Sequence, residues 1–187
     1  MIVARTLYLI APLLLAGIVQ AVVIRRNLLA WLAHPLDGRR TFRGKRLLGD
    51  SKTWRGLVGM TVVTVLAVLG QHELYALHAF RLLSLVDYSV TPGWIELGLA
   101  LGLGYSLAEL PNSFVKRRLG IAPGRSSARG RLVQYLADQG DSALGGTLAL
   151  AIFLRGDLRA LALVFALGLL LHALFDRGLY ATGVKRR

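Results

Sequence analysis

Long apolar blocks separated by short charged stretches run the length of the chain. Five blocks can be drawn: Thr6 to Ile24, Gly56 past Gly70 toward Phe80, Trp94 to Leu110, Asp141 to Leu154, and Leu158 to Phe175. A soluble core interleaves polar and apolar positions at a period of about 3.6 or 2. Here the two kinds are segregated, and the blocks approach the roughly 20 residues that cross a bilayer as a helix. The pattern predicts an all-α polytopic membrane protein with five transmembrane helices. The second and fourth blocks have short clean apolar cores. A helix mouth that lines a polar cavity need not match lipid thickness. The first block lacks a small-residue cleavage site before the basic stretch that follows, so it reads as a retained helix.

Charge orients this arrangement. The chain carries 23 Lys and Arg against 10 Asp and Glu, a net charge of +13. Nine basic residues lie in the first connection (Arg25 to Arg55), six in the third (Lys116 to Arg131) and four after the last block, so one side holds nineteen and the other four. Basic connections stay in the cytoplasm. The N-terminus is expected outside, with the first and third connections and the C-terminus inside. The expected location is the cell membrane, the bilayer itself being a partner. The basic residues flank apolar spans rather than line an amphipathic recognition element, which argues against nucleic acid and for anionic head groups and phosphorylated substrates. The chain has no Cys, which excludes disulfides, Cys-ligated zinc and thiol nucleophiles. No repeat or low-complexity segment divides it, and residues 1–187 read as one domain.

The two inward connections carry the candidate chemistry. In the first, Gly38, Gly44, Gly49, Gly56 and Gly59 alternate with Arg and Lys. Glycine lets backbone N–H groups approach an anion closely. Asp50, Lys52, Thr53 and Arg55 fall within six residues. Asp50 or Ser51 is expected to cap a helix here, with Lys52 and Arg55 on one face and the helix N-terminus toward an anion. A topology signal alone explains the arginines but not the glycines. The Gly-x-x-x-x-Gly-Lys-Ser/Thr spacing of a P-loop is absent.

In the second, Lys116, Arg117 and Arg118 precede Asp138 and Asp141, which are three apart at the expected mouth of the fourth helix. Carboxylates at a membrane boundary are expensive unless compensated. Mg²⁺ would compensate them, since it takes one or two carboxylates plus substrate phosphates. Alone, the pair also reads as an N-cap and a first-turn acid; the basic cluster favours the metal. Acids for a metal and bases for phosphates are what phosphoryl and nucleotidyl transfer needs.

These motifs resemble the CDP-archaeol synthase family, related to the CDP-diacylglycerol synthases. The resemblance rests on Gly49-Asp50-Ser51-Lys52-Thr53-x-Arg55-Gly56, then Ser113-Phe114-x-Lys116-Arg117-Arg118-Leu119-Gly120, a Pro123-Gly124 turn, and Asp138-Gln139-x-Asp141, in that order over roughly residues 36–146. It implies five helices, two cytoplasmic active-site loops and a CTP-dependent cytidylyltransferase. A membrane lipid phosphate, isoprenoid-ether or phosphatidate-like, would attack the α-phosphate of CTP and release pyrophosphate, with Mg²⁺. Asp138 and Asp141 would hold the metal. Lys116 and Arg117, with Arg118, would neutralise phosphates, as would Lys52, Thr53 and Arg55. Asn112 and Ser113 would donate hydrogen bonds to substrate. Glu109 is a further candidate for the metal or for orienting the base. The sequence departs from the family at Glu109-Leu-Pro111-Asn112 and in the insert Arg125 to Leu136.

Two other classes stand beside this reading. A CDP-alcohol phosphatidyltransferase also uses Asp in a membrane, but its Asp-Gly-x-x-Ala-Arg run is missing, since Asp37-Gly38 is followed by Arg39-Arg40. A transporter or scaffold is the non-enzymatic alternative. Transporters place ionisable groups near mid-membrane, whereas the first and fifth blocks are essentially charge-free, and the lone His172 is expected at a helix interface. Gly98, Gly102 and Gly104 would permit close helix packing, including a homo-oligomer; the sequence does not fix the oligomeric state.

Overall fold

A computed structural model of the chain describes residues 1–89, 93–122 and 131–181. The helices are α1 (Ile2–Arg25), α2 (Trp54–Leu74), α3 (His78–Leu83), α4 (Trp94–Arg118), α5 (Arg131–Leu150) and α6 (Leu158–Ala181). A single 3₁₀ turn (Ala30–Leu32) and a two-stranded hairpin, β1 (Thr41–Phe42) and β2 (Lys45–Arg46), lie between α1 and α2. The five long helices close a ring in the order α1, α2, α4, α5, α6 and back to α1. The buried core runs through Leu9 and Ile10 of α1, Val68 of α2, Leu97 and Leu101 of α4, Leu150 of α5 and Val164 of α6.

α1, α2 and α6 are long and apolar enough to cross a membrane by themselves. α4 and α5 are of similar length, 25 and 20 residues, but carry the polar residues described below. Their outer faces match the others. Ile95, Leu99, Leu103 and Leu107 are exposed on α4 and Leu144 and Leu148 on α5, just as Val58, Val62 and Leu66 are on α2. A four-residue spacing puts each set on one side of its helix. Apolar residues outside and polar residues inside are the reverse of a soluble bundle, and they mark the chain as a polytopic all-α membrane protein.

Several element boundaries differ from the hydropathy pattern. The second block divides into α2 and α3 near Tyr75. α4 runs on through Pro111 to Arg118, so Asn112 to Arg118 are helical rather than in a loop. A proline inside a helix of this kind is tolerated because neighbouring groups satisfy the freed carbonyl. α5 starts at Arg131, ten residues before the expected apolar start at Asp141. Asp138 and Asp141 therefore sit in the helix interior, not at its mouth, and neither is an N-cap. The cause is inverted amphipathicity: Leu132, Val133 and Leu136 are exposed while Gln139 and Ser142 are buried. The helix cap of α2 is Thr53, whose Oγ1 accepts from Gly56 N at 3.2 Å, rather than Asp50 or Ser51. The Pro123-Gly124 turn, residues 125–130 of the Arg125–Leu136 insert and Lys185 to Arg187 lie outside the described residues.

The glycines of α4 face inward. A Cβ on Gly98 would lie 2.7 Å from Val65 Cα, and one on Gly102 2.7 Å from Thr61 Cα, so both seat α4 against the α2 backbone. Gly104 packs on Gly145 and Ala149 of α5. These glycines are used within the chain and are not a free oligomer face.

The segment before α2 is folded around Asp37. Its buried carboxylate accepts from Arg39 N (2.9 Å), the Arg46 guanidinium (2.9 Å), Leu48 N (2.9 Å) and Gly49 N (3.1 Å). Burial pushes the Asp37 carboxyl up, but Arg46 and the three amides outweigh it and hold it well below the usual carboxylate range. The hairpin closes through Arg43 and Gly44, both at positive φ (50° and 73°), as a two-residue type I′ turn requires. Arg118, at the end of α4, clamps this hairpin. It donates to the carbonyls of Phe42, Lys45 (3.0 Å) and Arg46 (2.5 Å), between the rings of Phe42 and Phe114. Lys52 is fixed by backbone pairing on either side, Leu36 N to Lys52 O at 2.8 Å and Trp54 N to His34 O at 3.0 Å.

Two outcomes follow. Gly102→Leu forces a side chain into the α2 backbone and should cost about 1–3 kcal/mol, read as a lowered thermal midpoint in detergent; an unchanged midpoint would contradict the close α2–α4 contact. Asp37→Asn should loosen residues 37–49, read as faster tryptic nicking after Arg40 or Arg43. Because the folded carboxyl lies below its unfolded value of about 3.9, its contribution is complete above that value and is lost as pH falls through the lower folded value. The wild-type loop should therefore keep its resistance to an acid-active protease down to about pH 4 and lose it only in stronger acid.

Candidate active site

Glu109, Asn112, Ser113, Lys116 and Arg117 recur at intervals of three and four and share one face of α4. Asp138, Asp141 and Ser142 do the same on α5. The close approach of Gly104 and Gly145 brings the two faces together.

A continuous polar chain joins them. Asn112 Nδ2 donates to Asp138 Oδ1 at 2.7 Å and to Asp141 Oδ2 at 2.8 Å. Lys116 Nζ donates to the same Asp138 oxygen at 2.6 Å. Ser142 N donates to Asp141 Oδ1 at 2.6 Å, and Ser142 Oγ donates to Glu109 Oε1 at 2.6 Å. The other oxygen of Glu109 accepts from Lys52 Nζ. Lys52 thus reaches from the first loop into the helix bundle, 57 positions along the chain from its partner.

Arg117 differs from the other cations. Its residue is only 7% exposed, and its Nε and Nη1 are buried with no hydrogen-bond partner. A buried guanidinium left unpaired costs several kcal/mol. Its free N–H groups are the kind of donors that pair with carboxylates and phosphates. Gln139 Oε1 is also buried without a partner.

The structure brings Asn112, Lys116, Asp138 and Asp141 into direct contact and links Lys52 to them through Glu109 and Ser142, with Ser113 and Arg117 on the same α4 face. It does not gather the rest. Thr53 caps α2. Arg55 donates to Asn27 Oδ1 (3.1 Å) and Leu28 O (3.2 Å) at the end of α1. Arg118 faces the hairpin. Asp50 is exposed and pairs with Arg46 at 2.9 Å. Sequence reasoning missed Ser142 and Asp37. Ser142 follows Asp141 and lies four from Asp138, a helical spacing that points it to the same face. Asp37 opens the glycine-spaced loop, and its Asp-Gly pair is a turn signal.

Among the described residues no group of three or more His, Asp and Glu side chains gathers at metal-binding range. Asp138 and Asp141 nevertheless fit a hard cation. One oxygen of each converges on the single nitrogen of Asn112, so one point lies within reach of both. Two carboxylates suit Mg²⁺, which takes its remaining ligands from substrate phosphates and water.

An apolar cleft adjoins this cluster, lined by Leu13 and Leu14 of α1, Tyr105 of α4, Ser142 of α5, and His172 and Phe175 of α6. The His172 and Tyr105 rings are 6.0 Å apart. Ser142 belongs to both the cleft and the polar chain.

Comparison with known proteins gives the family. Residues 1–186 match the family model described as "CarS-like: CDP-archaeol synthase". A CDP-archaeol synthase from Methanoculleus marisnigri is 39% identical over 120 residues, a match spanning 64% of this chain and 64% of that protein, just under two thirds. One from Thermofilum pendens is 32% identical over 187 residues, 98% of this chain and 79% of that protein. A solved structure described as "an intramembrane enzyme for archaeal membrane lipids biosynthesis" superposes with a TM-score of 0.56 at 26% identity, covering 91% of each chain. The chain belongs to the CDP-archaeol synthase family.

Proposed function

We propose that this protein is a CTP-dependent cytidylyltransferase that converts a membrane lipid phosphate into its CDP-activated form. The family membership supports the reaction class. The observation in this chain that carries it is the meeting, at Ser142, of an apolar cleft and a cluster of paired acids and bases. A lipid phosphate needs both: apolar walls for its chains and cations for its head.

In this reading an oxygen of the lipid phosphate attacks the α-phosphorus of CTP. A new P–O bond forms, the bond from the α-phosphorus to the bridging oxygen breaks, and pyrophosphate leaves. The attacking group is already an anion, so the protein need supply no covalent nucleophile. Its work is positioning and charge neutralisation. Asp138 and Asp141 hold the divalent metal that enzymes of this kind generally need, here Mg²⁺, which when bound neutralises charge on the triphosphate. Lys116 and Arg117 neutralise phosphate at the α4–α5 face, and Lys52 does so from the first loop. Asn112 and Ser113 orient the substrates. Arg118 acts through the hairpin it clamps, and Thr53 and Arg55 act by fixing the start of α2. The lipid is an isoprenoid ether glycerol phosphate, lying in the cleft between α1 and α6. The five long helices span the bilayer, and the excess of Lys and Arg on one side supports a site at the cytoplasmic surface with the N-terminus outside.

Reconstituted protein given CTP, Mg²⁺ and an isoprenoid ether glycerol phosphate should release pyrophosphate, and phosphatidate should be a poorer acceptor. No release with either lipid would contradict the assignment. Asp141→Asn should lower turnover by about a hundredfold or more with an unchanged elution profile; a fully active variant would remove Asp141 from the metal site.

A further inference from the structure

Two of the three acids of this site are already paired with the protein's own cations. Lys52 pairs with Glu109, Lys116 pairs with Asp138, and Asn112 lies across Asp138 and Asp141. Asp141 is held by the Asn112 amide and the Ser142 backbone N–H. The two ion pairs are each formally neutral. The Lys116 side chain is 18% exposed and the Lys52 side chain 22%, so solvent screens neither pair well.

Each ligand alone upsets this balance. A divalent cation entering by itself must displace Lys116 and Asn112 from the carboxylates and leave the ammonium without a partner. A triphosphate entering by itself finds Arg117 as the buried cation without a partner among the described residues, and adds far more negative charge than one guanidinium offsets. Entering together, they complete an exchange: the phosphates take Lys116, and the cation takes its place on Asp138 and Asp141. Uncompensated charge in such surroundings is costly, so joint entry is favoured over either alone.

We propose that Lys116 is a counter-ion lock on the metal site, with Asn112 as its second element, and that nucleotide phosphate opens it. Arg117, the cation without a partner, is the first anion receptor. The lock rests on the cytidylyltransferase reading and adds what that reading does not contain: metal binding is coupled to nucleotide binding through an identified residue. By linkage, the cation must favour the nucleotide as much as the nucleotide favours the cation.

The test uses full-length protein in detergent without lipid phosphate, so that no turnover occurs. Binding of CTP is measured first with Mn²⁺ present, and then free Mn²⁺ is titrated by its EPR signal with and without CTP. In the wild type, CTP should tighten Mn²⁺ binding about tenfold or more. Lys116→Met should bind Mn²⁺ about tenfold more tightly than wild type without CTP, and the gain on adding CTP should shrink. Asn112→Ala should move the same way by less. Mn²⁺ alone should raise the thermal midpoint of Lys116→Met and leave that of the wild type unchanged, a readout that also shows the variant is folded. Should Lys116→Met not fold, Asn112→Ala with the same titration decides. Nucleotide-free Mn²⁺ affinity unchanged in the folded variants, or equal in the wild type with and without CTP, overturns the lock while the cytidylyltransferase reading stands. No CTP binding by folded wild-type protein overturns both.

Discussion

The amide of Asn112 lies between the carboxylates of Asp138 and Asp141, and the arrangement of the bundle keeps it there. Two acids inside a helix of a membrane-embedded bundle must be neutralised or hydrogen-bonded. Here one side-chain nitrogen serves both, with Lys116 on one flank and Ser142 on the other. That geometry needs α4 and α5 at close range. Gly104 against Gly145 and Ala149 provides it, and Gly98 and Gly102 bring α2 to the other side of α4. Stripes of small residues that allow such approach are a usual means of joining helices in a bilayer.

The loops serve the same site from outside the bundle. The Asp37 carboxylate organises the glycine-spaced segment, and the pairing of residues 34–36 with residues 52–54 aims Lys52 at Glu109. The hairpin is held to the end of α4 by Arg118 and Lys45, each donating to the other's segment. Many of the basic residues in these connections therefore have structural partners. Arg46 completes the Asp37 turn, Arg55 ties α2 to the end of α1, and Arg118 holds the hairpin.

Much of this was legible in the sequence, for physical reasons. The segregation of apolar blocks reflects a bilayer, so the all-α membrane fold was readable from α1, α2 and α6. The separated motifs led to the family, and helical spacing alone placed Asp138 beside Asp141. What hydropathy could not show was the start of α5. Its first turns carry Gln134, Asp138 and Asp141, which lower mean hydropathy although the outer face is Leu132, Val133 and Leu136. An average over a window erases that difference between faces. The roles of individual cations were also hidden. Lys116, Arg117 and Arg118 are consecutive, yet a helix turns each by about 100°. One meets Asp138, one is buried without a partner and one grips the hairpin.

The central claim is that CTP gives its α-phosphorus, and not its γ-phosphorus, to a lipid held at the α4–α5 face. Reconstituted protein supplied with CTP labelled at either position tests it most directly. With an isoprenoid ether glycerol phosphate and Mg²⁺ present, the α-label should appear in the lipid fraction and the γ-label in pyrophosphate. Label reaching the lipid from the γ-position, or none reaching it from the α-position, would contradict the account.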